Sequence, residues 1–132
     1  MNYEIKTTLG GAEVIFCSNN EDGIPAWKLV LSGKKTLTRR TKPQPVGAIR
    51  AVCPTRGVKQ VCKIRILSCE DDQAWYEREI AEKKNEDALD EEAEREGFRT
   101  WEGLWEWFAN HYGDDLPKLY RIEFEKILTI IK

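Results

Sequence analysis

The chain has 132 residues, 41% of them hydrophobic and 10% aromatic, which suits one domain with a core of its own and is too short for two ordinary ones. Charged residues make up 33% and the formal net charge is −2, so the whole chain is not a general polyanion binder. No apolar run approaches the roughly 18–20 residues that span a bilayer, and Met1-Asn2-Tyr3-Glu4-Ile5-Lys6 lacks the basic start and apolar stretch of a signal peptide. A single domain over residues 1–132, cytosolic and without a membrane partner, is expected.

Val14-Ile15-Phe16-Cys17 is a short apolar run closed by Ser18-Asn19-Asn20-Glu21-Asp22-Gly23, which predicts a strand and a loop. Pro25 suits the first turn of a short helix through Trp27, Leu29, Val30 and Leu31, with Ser32-Gly33 as its stop. The basic segment from Lys34 to Lys42 follows, and its alternating threonines favour an extended backbone. Val46–Cys53 reads as a strand that is apolar on both sides, with Arg50 its one charge. Val58–Ser68 alternates, Cys62, Ile64 and Ile66 facing one way and Lys63 and Arg65 the other. The turn Pro54-Thr55-Arg56-Gly57 makes these two strands a hairpin.

The acidic stretch from Glu70 to Glu96 reads as helical, interrupted near Asn85 and ended by Gly97. Thr100 caps a further helix with Trp101, Leu104, Trp105, Phe108 and Tyr112 at helical spacing. Trp107 lies off that stripe. Gly113 and Pro117 stop the helix, and Tyr120, Ile122 and Phe124 alternate with Arg121, Glu123 and Glu125 in a last strand. This order of elements predicts an α+β fold: a small barrel or strongly curved mixed sheet flanked by helices.

Four cysteines, at 17, 53, 62 and 69, match no CxxC zinc spacing, and His111 is the sole histidine. Reduced thiols, no metal and no cofactor are expected. Charge is divided along the chain. Residues 1–69 hold 12 Lys and Arg against 4 Asp and Glu, whereas residues 70–132 hold 9 against 19. Either the first half presents a positive face built by Lys34, Lys35, Arg39, Arg40 and Lys42, joined by Arg50 and Lys63, or the halves interleave and cancel.

In an extended segment Lys34, Thr36, Thr38 and Arg40 share one face and Lys35, Leu37 and Arg39 the other, while a turn after Gly33 brings Lys35 beside Thr38. Cations interleaved with hydroxyls suit phosphates and polar base edges, and equally suit a solvated loop. Glu96 closes its helix beside Gly97, on the side that also carries Leu89 and Ala93. A carboxylate there faces the negative end of the helix dipole and needs a partner, either an arginine in a structural pair or a group in a reaction. The aromatic helix invites a base-stacking reading, but its spacing favours core packing.

Gly-Lys-Lys-Thr-Leu-Thr-Arg-Arg after a short helix, a later Ala-Glu-Arg-Glu-Gly-Phe, an aromatic helix and Tyr-Arg-Ile-Glu-Phe together resemble the ASCH family, in its bacterial and phage branch. The resemblance runs from Val14 to Phe124 and implies a PUA-like barrel. It departs from the family at Gly47-Ala48, where Gly-Asp is common, and in the long acidic stretch before Glu96. Some bacterial members are amidohydrolases acting on N4-acetylcytidine. That implies catalytic roles for Lys35, Thr38 and Glu96: Lys35 as base, Thr38 as hydroxyl nucleophile, Glu96 holding the exocyclic nitrogen or protonating the leaving amine. Lys34, Arg39, Arg40 and Arg50 are the expected substrate-binding cations, with Arg40 or Arg50 facing the oxyanion. Other relatives bind RNA, so RNA or a modified nucleoside such as an acylated cytidine is the expected partner. A non-catalytic RNA-binding module is the alternative, and a protein-interaction role through the acidic helices a third.

Overall fold

The computed structural model describes residues 13–16, 18–55 and 59–130. Strands β1 (Glu13–Ile15), β2 (Leu37–Arg40), β3 (Ile49–Cys53), β4 (Cys62–Asp71) and β5 (Tyr120–Thr129) form one sheet in the order β1-β3-β4-β5-β2. β1 runs parallel to β3, and the other pairs are antiparallel. The long β4–β5 pair shifts register between Lys63 and Ile64 and again between Ile66 and Ser68. Such bulges bend a strand and increase its twist. The result is a strongly curled half-barrel with helices packed beside it, as the α+β reading anticipated.

The core lies on the concave face. Cys62, Ile64 and Ile66 are buried while Lys63, Arg65 and Leu67 are not, the alternation read from the sequence. Ile122 and Phe124 meet them from β5, and Val14, Phe16, Val30 and Val52 complete the cluster. Helix α1 (Ala26–Ser32) ends as expected on Gly33, whose φ of 86° is left-handed. A second cluster gathers Ala93, Leu104, Phe108 and Leu119 between α3 (Leu89–Glu96) and α4 (Trp101–Tyr112). Thr100 caps α4 by accepting from the Gly103 amide at 3.0 Å.

Several boundaries differ from expectation. Val46 to Ala48 form a turn, because Pro45 and a left-handed Gly47 (φ 88°) delay β3 to Ile49. Glu70 and Asp71 are not helical. They prolong β4 opposite Arg121 and Tyr120, and Asp71 then caps helix α2 (Asp72–Tyr76) by accepting from the Gln73 and Ala74 amides. A π-helical turn (Glu77–Ala81) and a 3-10 turn (Glu86–Ala88) follow before α3. Strand β5 continues five residues beyond Phe124, pairing with β4 to Thr129. Cys17, Val58 and part of the 54–57 turn lie outside the described residues, although β3 and β4 do pair antiparallel. No helix among the described residues is long and apolar enough to cross a membrane.

Candidate active site

Lys35 leaves α1 through the turn at Gly33, and two backbone bonds fix its course. Its amide donates to Leu29 O at 3.0 Å, and the next amide, of Thr36, donates to Arg95 O at 2.9 Å. The basic segment is thereby stitched to the C-terminus of α3. The Lys35 ammonium donates to Glu96 O at 2.6 Å, Leu37 O at 2.9 Å and Glu96 Oε1 at 3.1 Å. A cation at a helix C-terminus is favourable where a lone carboxylate is not, and Lys35 offsets both the dipole and the Glu96 charge.

The turn that closes α3 is possible because residue 97 is glycine. Its φ is 99°, and a Cβ there would stand 2.8 Å from Leu29 Cδ1. The Gly97 carbonyl accepts from Asn20 Nδ2 at 2.9 Å, tying the turn to the loop before α1.

Lys35, Thr38 and Glu96, separated in sequence, line one cavity of about 250 Å³. All three are buried. Burial lowers the Lys35 pKa from its ordinary 10.5, opposed by the adjacent Glu96 charge and assisted by the Arg40 and Arg39 charges. The opposite wall is aromatic: Phe98, Trp107, Phe108 and Tyr112, with His111 stacked on Trp107 at 4.8 Å between centroids. Trp107, the position off the buried helical stripe, faces this cavity. His111 and Phe98 carried no comparable signal in the sequence.

The expected cations divide. Arg40 lines the cavity, its guanidinium 4.5 Å from the Phe16 centroid and donating to Ile15 O at 2.8 Å. Arg39 also borders it, but its guanidinium is held by three carboxylates: Asp72 at 2.8 Å, Glu92 at 2.7 Å and Glu96 Oε2 at 2.8 Å. It packs over the rings of Trp75 and Trp101, at 5.1 and 5.4 Å from their centroids. These partners push the Arg39 pKa upward despite its burial. Lys34 is exposed and does not line the cavity, because the turn after Gly33 points it outward. Arg50 is likewise outside, on β3, donating to Gln44 Oε1 at 2.8 Å.

The expected positive strip is therefore corrected. Lys35 and Arg39 are interior, and the acidic half of the chain neutralises them through Asp72, Glu92 and Glu96. Among the described residues, no group of three or more His, Cys, Asp or Glu side chains is placed to hold a metal ion.

No protein-family model matches the sequence, and no curated protein does. Among solved structures, protein EF3133 from Enterococcus faecalis V583, described under the family model DUF984, gives a TM-score of 0.53 at 18% identity. The match covers 94% of this chain and 85% of that one. The fold is shared. Two mutant proteins of ZmASCH from Zymomonas mobilis give a TM-score of 0.48 at 17% and 18% identity, covering 91% and 92% of this chain and 76% and 75% of theirs. At these identities the likeness concerns the fold alone.

Proposed function

We propose that this is an ASCH-type amidohydrolase that removes the acetyl group from N4-acetylcytidine or a closely related N4-acylated cytosine nucleoside. The observation that carries the reading is the meeting of Lys35, Thr38 and Glu96 on one cavity, as the sequence resemblance implies. Its size supports a small ligand: about 250 Å³ lies just below the roughly 300–1,000 Å³ of drug-sized sites. Its charge supports a neutral one, since Lys35 and Arg39 already face carboxylates.

The chemistry follows from the residues. Neutral Lys35 accepts the Thr38 hydroxyl proton as Oγ1 attacks the acetyl carbonyl, and Arg40, which lines the cavity, faces the oxyanion. Lys35 then returns that proton to N4 as the C–N bond breaks, releasing cytidine and leaving acetyl-threonine. Water attacks this ester, giving one proton to Lys35, which passes it to the departing Thr38 oxygen, and acetic acid leaves, losing its remaining proton to solvent as acetate. Glu96 accepts from the N4–H and holds the amide in place. The aromatic wall packs against the cytosine ring.

Turnover of N4-acetylcytidine and of single-stranded RNA binding, each measured against salt, tests the reading. Hydrolysis of the free nucleoside with a KM nearly flat in salt is expected. RNA binding that weakens steeply with salt, without hydrolysis, favours the binding module instead.

A further inference from the structure

The ion pairs around Arg39 extend well beyond the proposed reacting groups. Glu92, one turn before Glu96 on α3, accepts from Arg39 at 2.7 Å and from Arg121 Nε and a second Arg121 nitrogen at 2.6 and 3.0 Å. Arg121 packs over Trp75, 4.5 Å from the centroid of the ring that Arg39 also approaches. Asp72, at the start of α2, takes the Arg39 Nε. A planar guanidinium has donors in a fixed fork, so three carboxylates and two indoles leave it one orientation. In that orientation one nitrogen holds Glu96 Oε2, and the other carboxylate oxygen, Oε1, turns to Lys35.

We propose that Arg39 is a positioning residue: anchored by Asp72 and Glu92, it fixes the rotation of the Glu96 carboxylate and thereby the placement of Lys35 at the cavity. The inference rests on the amidohydrolase reading for its kinetic consequence, but not for its geometry. A cluster serving only to hold α2, α3 and β5 together would not require one of its carboxylates to be shared with a cavity-lining lysine. Sharing makes the alignment of the site depend on residues that touch no substrate, and misplacement of a reacting group by an ångström costs catalysis far more than binding.

The test compares wild type with Glu92→Gln and Asp72→Asn, neutral isosteres that retain hydrogen-bonding oxygens. Asp72 is the more accessible of the two, so its variant covers a failure of Glu92→Gln to fold. Two readouts are taken: kcat and KM for N4-acetylcytidine, and the titration of the Lys35 side chain followed by NMR with labelled lysine. The charged groups facing Lys35 are Glu96, Arg39 and Arg40. Each substitution leaves Arg39 less neutralised, which disfavours the Lys35 ammonium and moves its titration to lower pH. The expected kinetic result is a fall in kcat of about tenfold or more with KM changed less than about twofold. Unchanged kcat together with an unmoved Lys35 titration overturns the proposal. If the wild type hydrolyses nothing but the Lys35 titration still moves in both variants, the positioning network stands and the amidohydrolase reading falls.

Discussion

Lys35 is the residue on which the proposed chemistry turns, and its environment states what pH should do. Burial favours the neutral amine and lowers its pKa below 10.5, against the pull of Glu96. Because the neutral amine is the base, kcat/KM should rise with pH and level off above a midpoint lying below 10.5. A pH–rate profile with no such limb removes Lys35 from the role. Thr38→Ala should abolish hydrolysis while Thr38→Ser keeps part of it, since serine retains the hydroxyl; equal loss in both contradicts a hydroxyl nucleophile. At this scale the sequence marked Glu96 as a carboxylate in need of a cation, because its helix face also carries Leu89 and Ala93, while the choice of Lys35 and Thr38 rested on the family resemblance. The sequence did not single out Asp72 or Glu92, which belong to the acidic stretch from Glu70 to Glu96 that reads as helical. Helical spacing puts Glu92 on the face of Leu89, Ala93 and Glu96 and leaves Glu91 off it, but only the fold brings Arg39 and Arg121 to that carboxylate.

The turn between α3 and α4 ties the site to the fold. Gly97→Ala places an L side chain in left-handed backbone and forces the buried Leu29 side chain aside. The left-handed conformation alone costs about 1–2 kcal/mol, so thermal unfolding should shift downward, and an unchanged Tm would refute the need for glycine here. The neighbouring ion pairs give stability an acid dependence with two signs. The Glu92 carboxyl is pushed up by burial but brought below its ordinary 4.5 by Arg121 and Arg39. Its contribution is present above 4.5 and is lost as pH falls through the depressed value. Burial raises Asp72 above 3.8 despite Arg39, so its contribution runs the other way and is lost as pH rises through that raised value. Urea unfolding between pH 3 and 6 should therefore show Glu92→Gln weakening the acid sensitivity and Asp72→Asn leaving it intact or steeper. Element boundaries were legible where a cap or alternation marked them, as at Gly33, Thr100 and Cys62–Ile66. They were misread at Glu70 and Asp71, where strand pairing with β5 overrides a helix-prone composition.

For the molecule as a whole, part of the charge divided along the chain is neutralised in the fold, Lys35 and Arg39 meeting Asp72, Glu92 and Glu96 while Lys34 and Lys42 stay exposed. The basic segment and the acidic helices meet in the interior, and Glu96 and Arg39 belong to both the network and the cavity wall. β2 supplies Thr38, Arg39 and Arg40 to the cavity, α3 supplies Glu96 and α4 supplies Trp107 and Phe108, so the site exists only when both halves of the chain are folded together. The measurement that tests this account most directly is the release of cytidine and acetate from N4-acetylcytidine by the purified wild-type protein beside Lys35→Ala, Thr38→Ala and Glu96→Ala. Equal amounts of both products from the wild type, and none from folded variants, are predicted. No release by the wild type, or release that survives all three substitutions, would contradict it.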